Sequence, residues 1–191
     1  MNRRTFLSRG CACGALIMAA GPVEAAAAAA PAPAKDDFTH PVRPDQVMEV
    51  LSDVDRSGDL RLIDGVFTRW GFHCFHARKD LVAFAERQRA DFQGYVDYVN
   101  GNRARYWERL DYDKDAGVLR VTSRKFGKCP CAWAQCAAPA KALCTHCCKA
   151  LQTELFRTMT GRNAEVRIDE SILLGGERCR TTVRLLGNAP T

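Results

Sequence analysis

The sequence predicts a single α+β domain in which an antiparallel sheet of two β-hairpins packs on amphipathic helices. Three observations carry this. Apolar residues recur at helical spacing between residues 44 and 100. The pattern then switches to strand alternation around "DKDAG", and it does so again around Gly175-Gly176. A run of strands set against a run of helices indicates an α+β layer architecture.

Before the domain, "MNRRTFLSRGCACGALIMAAGPVEAAAAAA" has a basic start, a short apolar run from Cys11 to Ala20 and several A-x-A sites between Ala25 and Ala32. This pattern is that of a cleavable export signal over residues 1–30 and is too short to span a bilayer. Arg3-Arg4 followed by Thr5-Phe6-Leu7 resembles a twin-arginine (Tat) signal, which makes the Tat machinery a partner and the periplasm or exterior the destination. An ordinary secretory signal carrying two arginines is the plainer alternative. Neither Cys11 nor Cys13 follows an apolar run, which argues against a lipid anchor. Residues 31–43 read as an Ala/Pro-rich linker, and residues 44–187 as the Cys-rich domain.

The chain carries +6, and setting aside Arg3, Arg4, Arg9 and Glu24 leaves about +4. No basic run or aromatic–basic stripe accompanies this charge, so nucleic acid is not an expected partner. Beyond the signal no apolar stretch is long enough for a membrane span.

Pro44 to Val54 is expected to form a helix, with proline in its favoured first position. A second helix is expected from Leu60 to Trp70, burying Leu62, Ile63, Val66, Phe67 and Trp70. A third should run unbroken from Lys79 to Asn100 on a stripe of Leu81, Phe84, Phe92, Tyr95 and Val99. "YWERLDY" and "VLRVTSRKF" then pair around Gly117, and a helix from Thr145 to Thr160 stops at Gly161. In the last hairpin a two-residue Gly175-Gly176 turn would set Ile172 opposite Cys179 and Glu170 opposite Thr181. Val166, Ile168, Ile172, Cys179, Thr181, Val183 and Leu185 would then face the core. Glu170 would face it too, unless the hairpin shifts and turns it to water, the safer default for a lone glutamate.

Eight of the ten cysteines lie beyond the signal, six of them within "KCPCAWAQCAAPAKALCTHCCKA". An even count in an exported chain reads as a disulfide framework. Yet roughly 160 residues can build a core without staples, and fold-stapling bridges tend to be dispersed rather than clustered. Cys129 and Cys131 (C-x-C) with Cys144 and Cys147 (C-x-x-C) have spacings that let four sulfurs meet at zinc or an iron–sulfur cluster. Cys179, Cys74, Cys148 and His146 are secondary candidate ligands. C-x-x-C also suits a redox dithiol. If Thr145 capped the helix, its dipole would favour thiolate at Cys147 and Cys148. A thiol enzyme would use Cys144 or Cys147 as nucleophile, with Glu170 as base or orienter. His73 and His76 beside Cys74 could be ligands, although a solvated connection between helices is the plainer place for them. Cys179 could be no more than a small core residue.

"DVDRSGDLRLID" (Asp53 to Asp64) has carboxylates and a glycine at calcium-loop positions, with Asp53, Asp55, Ser57 and Asp64 as ligands. Arg61 opposes an ion there, and Glu49 and Ser52 are polar where the entering helix should be apolar. A helix-capping turn is the competing role.

"FGKCPC", the C-x-x-C, "FRTMTG" and "ESILLGGERCR" together resemble an uncharacterised family of Cys-rich bacterial proteins, with Gly71-x-x-Cys74 as a further match. The tail, with Gly175 to Cys179, also resembles the 4-vinyl reductase domain. That likeness implies a pocket that binds a small molecule. Cys129-Pro130, Cys144 and Cys179 resemble positions in the L-2-amino-thiazoline-4-carboxylate hydrolases, which implies thiol-dependent hydrolysis as the alternative activity. Cys136 and Cys148 have no counterpart in these patterns.

Overall fold

The computed structural model describes residues 44–102, 104–135 and 139–188. The expected signal and linker, and Cys136, lie outside them. The chain folds as an α+β domain of five helices and a four-stranded antiparallel sheet in the order β1-β2-β4-β3. No described helix is long and apolar enough to cross a membrane.

Helix α1 (Pro44–Arg56) buries Met48 and Leu51 and ends in a three-residue link to α2 (Leu60–His76). Asp59 caps α2 by accepting from the backbone N–H groups of Arg61 and Leu62. The helix runs six residues beyond the expected stop at Trp70. Its apolar stripe continues through Gly71, Cys74 and Phe75, all buried. His73 and His76 are therefore exposed residues on α2, not parts of a connection.

The helix expected over 79–100 is two helices, α3 (Lys79–Gln88) and α4 (Phe92–Asn100). Asp91 breaks it by capping α4, its side chain accepting from Gly94 N at 2.8 Å. The break lets Leu81 and Ala85 on one helix, and Val96 and Val99 on the other, reach one core. Asn100 then ties the end of α4 to β1 (Trp107–Asp113). Its amide donates to Leu110 O and accepts from Leu110 N, both at 2.9 Å.

β1 pairs with β2 (Val118–Ser123) through Leu110↔Val121 and Tyr112↔Leu119. Gly117, at φ +63°, makes the turn as expected. β2 in turn pairs with β4 (Arg180–Asn188), which joins the two hairpins into one sheet. β3 (Arg162–Glu170) forms one edge and β1 the other, with β3 paired to β4 through Val166↔Val183 and Ile168↔Thr181.

The two-residue glycine turn is not formed. Ser171 instead caps a short 3-10 turn, Ile172–Leu174, accepting from Leu173 N, and Gly175 closes it at φ +93°. An irregularity between Ile168 and Glu170 sets Glu170 opposite Arg180 rather than Thr181. Its carboxylate is ion-paired to Arg180 at 2.8 Å and also accepts from Arg178 N at 3.1 Å. Glu170 is thus a half-buried partner at the strand end, not an inward core acid.

The helix expected from Thr145 starts as a π-helical turn, Leu143–Cys148, that continues into α5 (Lys149–Thr160) and stops at Gly161 at φ +66°. No side chain caps its start, and Thr145 lies inside the turn. Cys147 and Cys148 are consequently not in a first helical turn, and the dipole argument for their ionisation lapses.

The core has two parts. One lies between α2–α5 and the inner face of the sheet, with Phe75, Leu81, Leu119, Val121, Leu155, Phe156 and Val183. The other joins α1 and the start of α2 to the cysteine segment through Met48, Phe67, Trp133, Leu143 and Cys147. α2 crosses both, pressing on the π turn at Gly71. A Cβ there would fall 2.2 Å from Cys147 O and 2.8 Å from Ala150 Cβ. Gly71→Ala should therefore destabilise the fold by about 1–3 kcal/mol through overpacking, read as a lower urea midpoint at unchanged slope. Gly65→Ala on the same helix meets nothing within 4 Å and should not lower the midpoint.

Candidate functional site: a thiol-lined cavity

The seven described cysteines all line one cavity where the two core clusters meet. Cys74 comes from α2, Cys144, Cys147 and Cys148 from the π turn, and Cys129 and Cys131 from the segment after β2. Cys179 enters just ahead of β4, held by backbone exchange with β2: Cys179 N donates to Ser123 Oγ at 3.0 Å, and Ser123 N donates to Cys179 O at 2.9 Å. No disulfide links any of the seven. Residues far apart in sequence are thus brought to one wall.

Trp107, Trp133, Leu151, Leu155 and Leu173 make up much of the remaining lining, and the polar exceptions include Gln152 and Ser171. Trp133 is buried and meets Trp70 edge-on at 5.3 Å, which ties the 3-10 turn Ala132–Gln135 to α2. Gln135 Nε2 donates to Cys129 O at 2.6 Å and fixes the Cys129–Cys131 hook. The cavity volume is about 50 Å³, several water-sized spheres.

Burial dominates the chemistry of these thiols, because a thiolate loses most of its hydration there. Desolvation pushes Cys129 up to about 12, opposed by the backbone N–H of Cys131 and aided by negative charge on Cys131, Cys179 or Cys144. Cys144 is raised by burial, with the Ser171 hydroxyl working against the rise and Cys179 and Cys131 adding to it. Burial also raises Cys148, with Cys144 next. Cys179 is raised by burial, eased by the backbone N–H of Ile172 and worsened by Glu170. Cys129, Cys131, Cys144 and Cys179 therefore feel one another's charge. Without a cation, the four thiols so raised hold their protons at neutral pH.

The other sequence candidates are placed elsewhere. His146 lies beside Thr145, their Nδ1 and Oγ1 atoms 2.8 Å apart, and is not on the cavity wall. His76 faces Glu154 at 3.1 Å, and that buried carboxylate also binds Arg157. Of the calcium-loop residues, Asp53 and Asp55 stand in α1 and Asp64 in α2, leaving Ser57 to Asp59 as the link. Asp53 pairs with Arg56, Asp55 accepts from Lys141 N, Asp64 accepts from Thr68 Oγ1, and Ser57 donates to Val54 O. The turn caps a helix, as the competing reading has it.

Two lining residues carried no sequence signal as functional groups. Ser171 follows the carboxylate in "DESILL" and becomes buried only through the 3-10 turn. Gln152 lies one helical turn beyond Cys148, and its Nε2 donates to Cys148 Sγ at 3.2 Å.

The donor set on the wall is mostly sulfur, which suits a soft ion. Among the described residues, however, no group of three or more His, Cys, Asp or Glu side chains already stands as a metal cage. Closure on an ion would require thiol side chains to rotate. Raised thiols also alkylate slowly. Cys129, Cys144, Cys148 and Cys179 should each react more slowly with iodoacetamide in the folded chain than in urea, resolved per cysteine by mass spectrometry. The stability linked to Cys129 is whole below the ordinary thiol value of 9.0 and is lost as pH rises towards about 12, because the folded state holds that proton longer.

No family model matches the chain, and no curated protein matches it. Among solved structures it is similar to the phenol-responsive sensory domain of the transcription activator PoxR, crystallised with phenol: 17% identity over 75% of this chain and 74% of that one, TM-score 0.39. It is also similar to a trafficking protein particle complex subunit 3 from Naegleria fowleri covalently bound to palmitic acid: 13% identity over 78% and 85%, TM-score 0.30. Neither likeness bears on what this chain's own cavity binds.

Proposed function

We propose that this chain is a Tat-exported binding or sensing domain whose occupant is a thiophilic metal ion, zinc before an iron–sulfur cluster, held by Cys129, Cys131, Cys144 and Cys179. The observation that carries the reading is the convergence of seven cysteines on one buried, largely apolar cavity. Its volume supports an ion over a larger ligand: about 50 Å³ against the roughly 300–1,000 Å³ of pockets for drug-sized molecules. The Ser171 hydroxyl reaches both Cys144 and Cys179, which favours Cys179 over Cys147 as the fourth ligand, and Cys148, which feels the charge of Cys144, Cys179 and Cys131, is the alternative. Export in the folded state would let the ion be loaded in a reducing cytoplasm.

A thiol-dependent hydrolase is less well supported. A nucleophilic cysteine needs a lowered pKa or an adjacent base. Burial raises Cys144 instead, and Glu170 is held by Arg180 and Arg178. A closed all-sulfur site fits a structural or sensory role rather than catalysis.

Metal analysis by mass spectrometry on protein lacking residues 1–30, purified from reducing cytoplasm, should find about one ion per chain. Cys129→Ser, Cys144→Ser and Cys179→Ser should each lose it, and Cys136→Ser should keep it. Equal metal content in all four variants would sink the assignment, and loss in Cys147→Ser but not Cys179→Ser would exchange the fourth ligand. Since burial holds the protons on Cys129, Cys144 and Cys179, uptake must release protons. Affinity measured by chelator competition should accordingly rise with pH through neutrality.

A further inference from the structure

We infer that Ser171 is a positioning residue of the ion site, its hydroxyl joining Cys144 to Cys179 so that ligands from two separate elements are neighbours before the ion arrives. The inference rests on the reading of the cavity as an ion site. Cys144 lies in the π turn and Cys179 just ahead of β4. Ser171 shares the cavity wall with both and is only 3% exposed. Its main chain is clamped, the carbonyl accepting from Leu174 N at 3.0 Å and from Gly176 N at 2.8 Å. Gly176 comes too close for a side chain, since a Cβ there would fall 2.5 Å from Glu170 Cγ and 3.0 Å from Ser171 O. Ser171 Oγ accepts from Leu173 N at 3.1 Å, and the hydroxyl is hydrogen-bonded to both Cys144 and Cys179.

A serine hydroxyl has one proton and two lone pairs. Leu173 N–H occupies one lone pair, which leaves one lone pair and one proton for two sulfurs. With both thiols protonated the match is complete: one S–H donates to Oγ, and the O–H donates to the other sulfur. An ion displaces both thiol protons, and each sulfur becomes an acceptor only. The single hydroxyl proton then serves one thiolate. Cys179 already has the backbone N–H of Ile172, whereas Cys144 has the Ser171 hydroxyl as its donor. The hydroxyl therefore turns to Cys144 in the loaded site, as the backbone N–H of Cys131 serves Cys129. Such bonds draw negative charge off metal-bound sulfur and hold the ligand in one orientation.

Cobalt(II) in place of zinc reports on its sulfur ligands through thiolate-to-metal charge-transfer absorption. A thiolate that loses a hydrogen bond has a higher lone-pair energy, which moves that band to longer wavelength. Ser171→Ala retains the two main-chain bonds of the turn and should still bind about one ion per chain. Its band should move to longer wavelength, and its zinc affinity should fall about tenfold or more. Ser171→Thr keeps the hydroxyl and should restore both. A lower urea midpoint with an unmoved band would make Ser171 a turn residue only and overturn the inference. A Ser171→Thr variant that behaves like Ser171→Ala would overturn it as well. Metal in the parent chain, with neither band nor affinity changed in Ser171→Ala, overturns this inference alone. A parent chain without metal overturns the ion site and this inference together.

Discussion

The packing of α2 against the backbone of the π turn is the contact on which the cavity depends. At Gly71 the two chains approach so closely that no side chain fits between them. This contact holds the cysteine turn against the helix that also carries Cys74. It sets the gap between the two core clusters, and that gap is the cavity. The π turn contributes in its own right. A wider turn carries Cys144, Cys147 and Cys148 onto one wall before the chain tightens into α5. Such turns cost hydrogen-bond geometry and recur where a fold serves a site.

A wall of cysteines can be built in this position because a protonated thiol is nearly an apolar group. Free cysteine is among the most buried residue types and packs as a small hydrophobe. Here desolvation keeps Cys129, Cys144, Cys148 and Cys179 in that neutral form. The fold is therefore not asked to bury several negative charges. The hydroxyl of Ser171 and the N–H groups of Cys131 and Ile172 work in the opposite direction. They offset only part of the desolvation, but they mark where negative charge on sulfur would be best received.

Local chemistry was legible in the sequence, and tertiary consequence was not. Gly117 and Gly161 could be read because each occupies a conformation that side chains resist. The α+β class followed from the change of period. The break at Asp91 was missed because apolar spacing alone runs through it, and only the cap reveals a new helix. The terminal turn was misread because Gly175-Gly176 suggests a tight hairpin, whereas Ser171 captures Leu173 N first and lengthens the loop. That extra length moved Glu170 off the core face and onto Arg180. For the site, cysteine spacing pointed to the cluster. The arrival of Cys74 and Cys179 depends on α2 and on the β2–β4 pairing, which spacing does not encode. Gln152 had no signal, since a glutamine in a helix is ordinarily a solvated residue.

The position of Glu170 determines what the cavity can do. An inward carboxylate would have supplied a base to a thiol or a hard ligand to an ion. Paired with Arg180 and held by Arg178 N, it is committed outside the cavity instead. No histidine of the described residues lines the cavity either. The wall that remains is largely neutral sulfur and carbon, which activates no nucleophile and attracts little hard-ligand chemistry. A soft cation changes this balance most, because each thiol that gives up its proton gains a bond from its sulfur to the ion in exchange for the hydration already lost. The same desolvation that keeps thiols inert when alone makes them strong ligands when an ion arrives, so the chemistry of the site is set by its dryness.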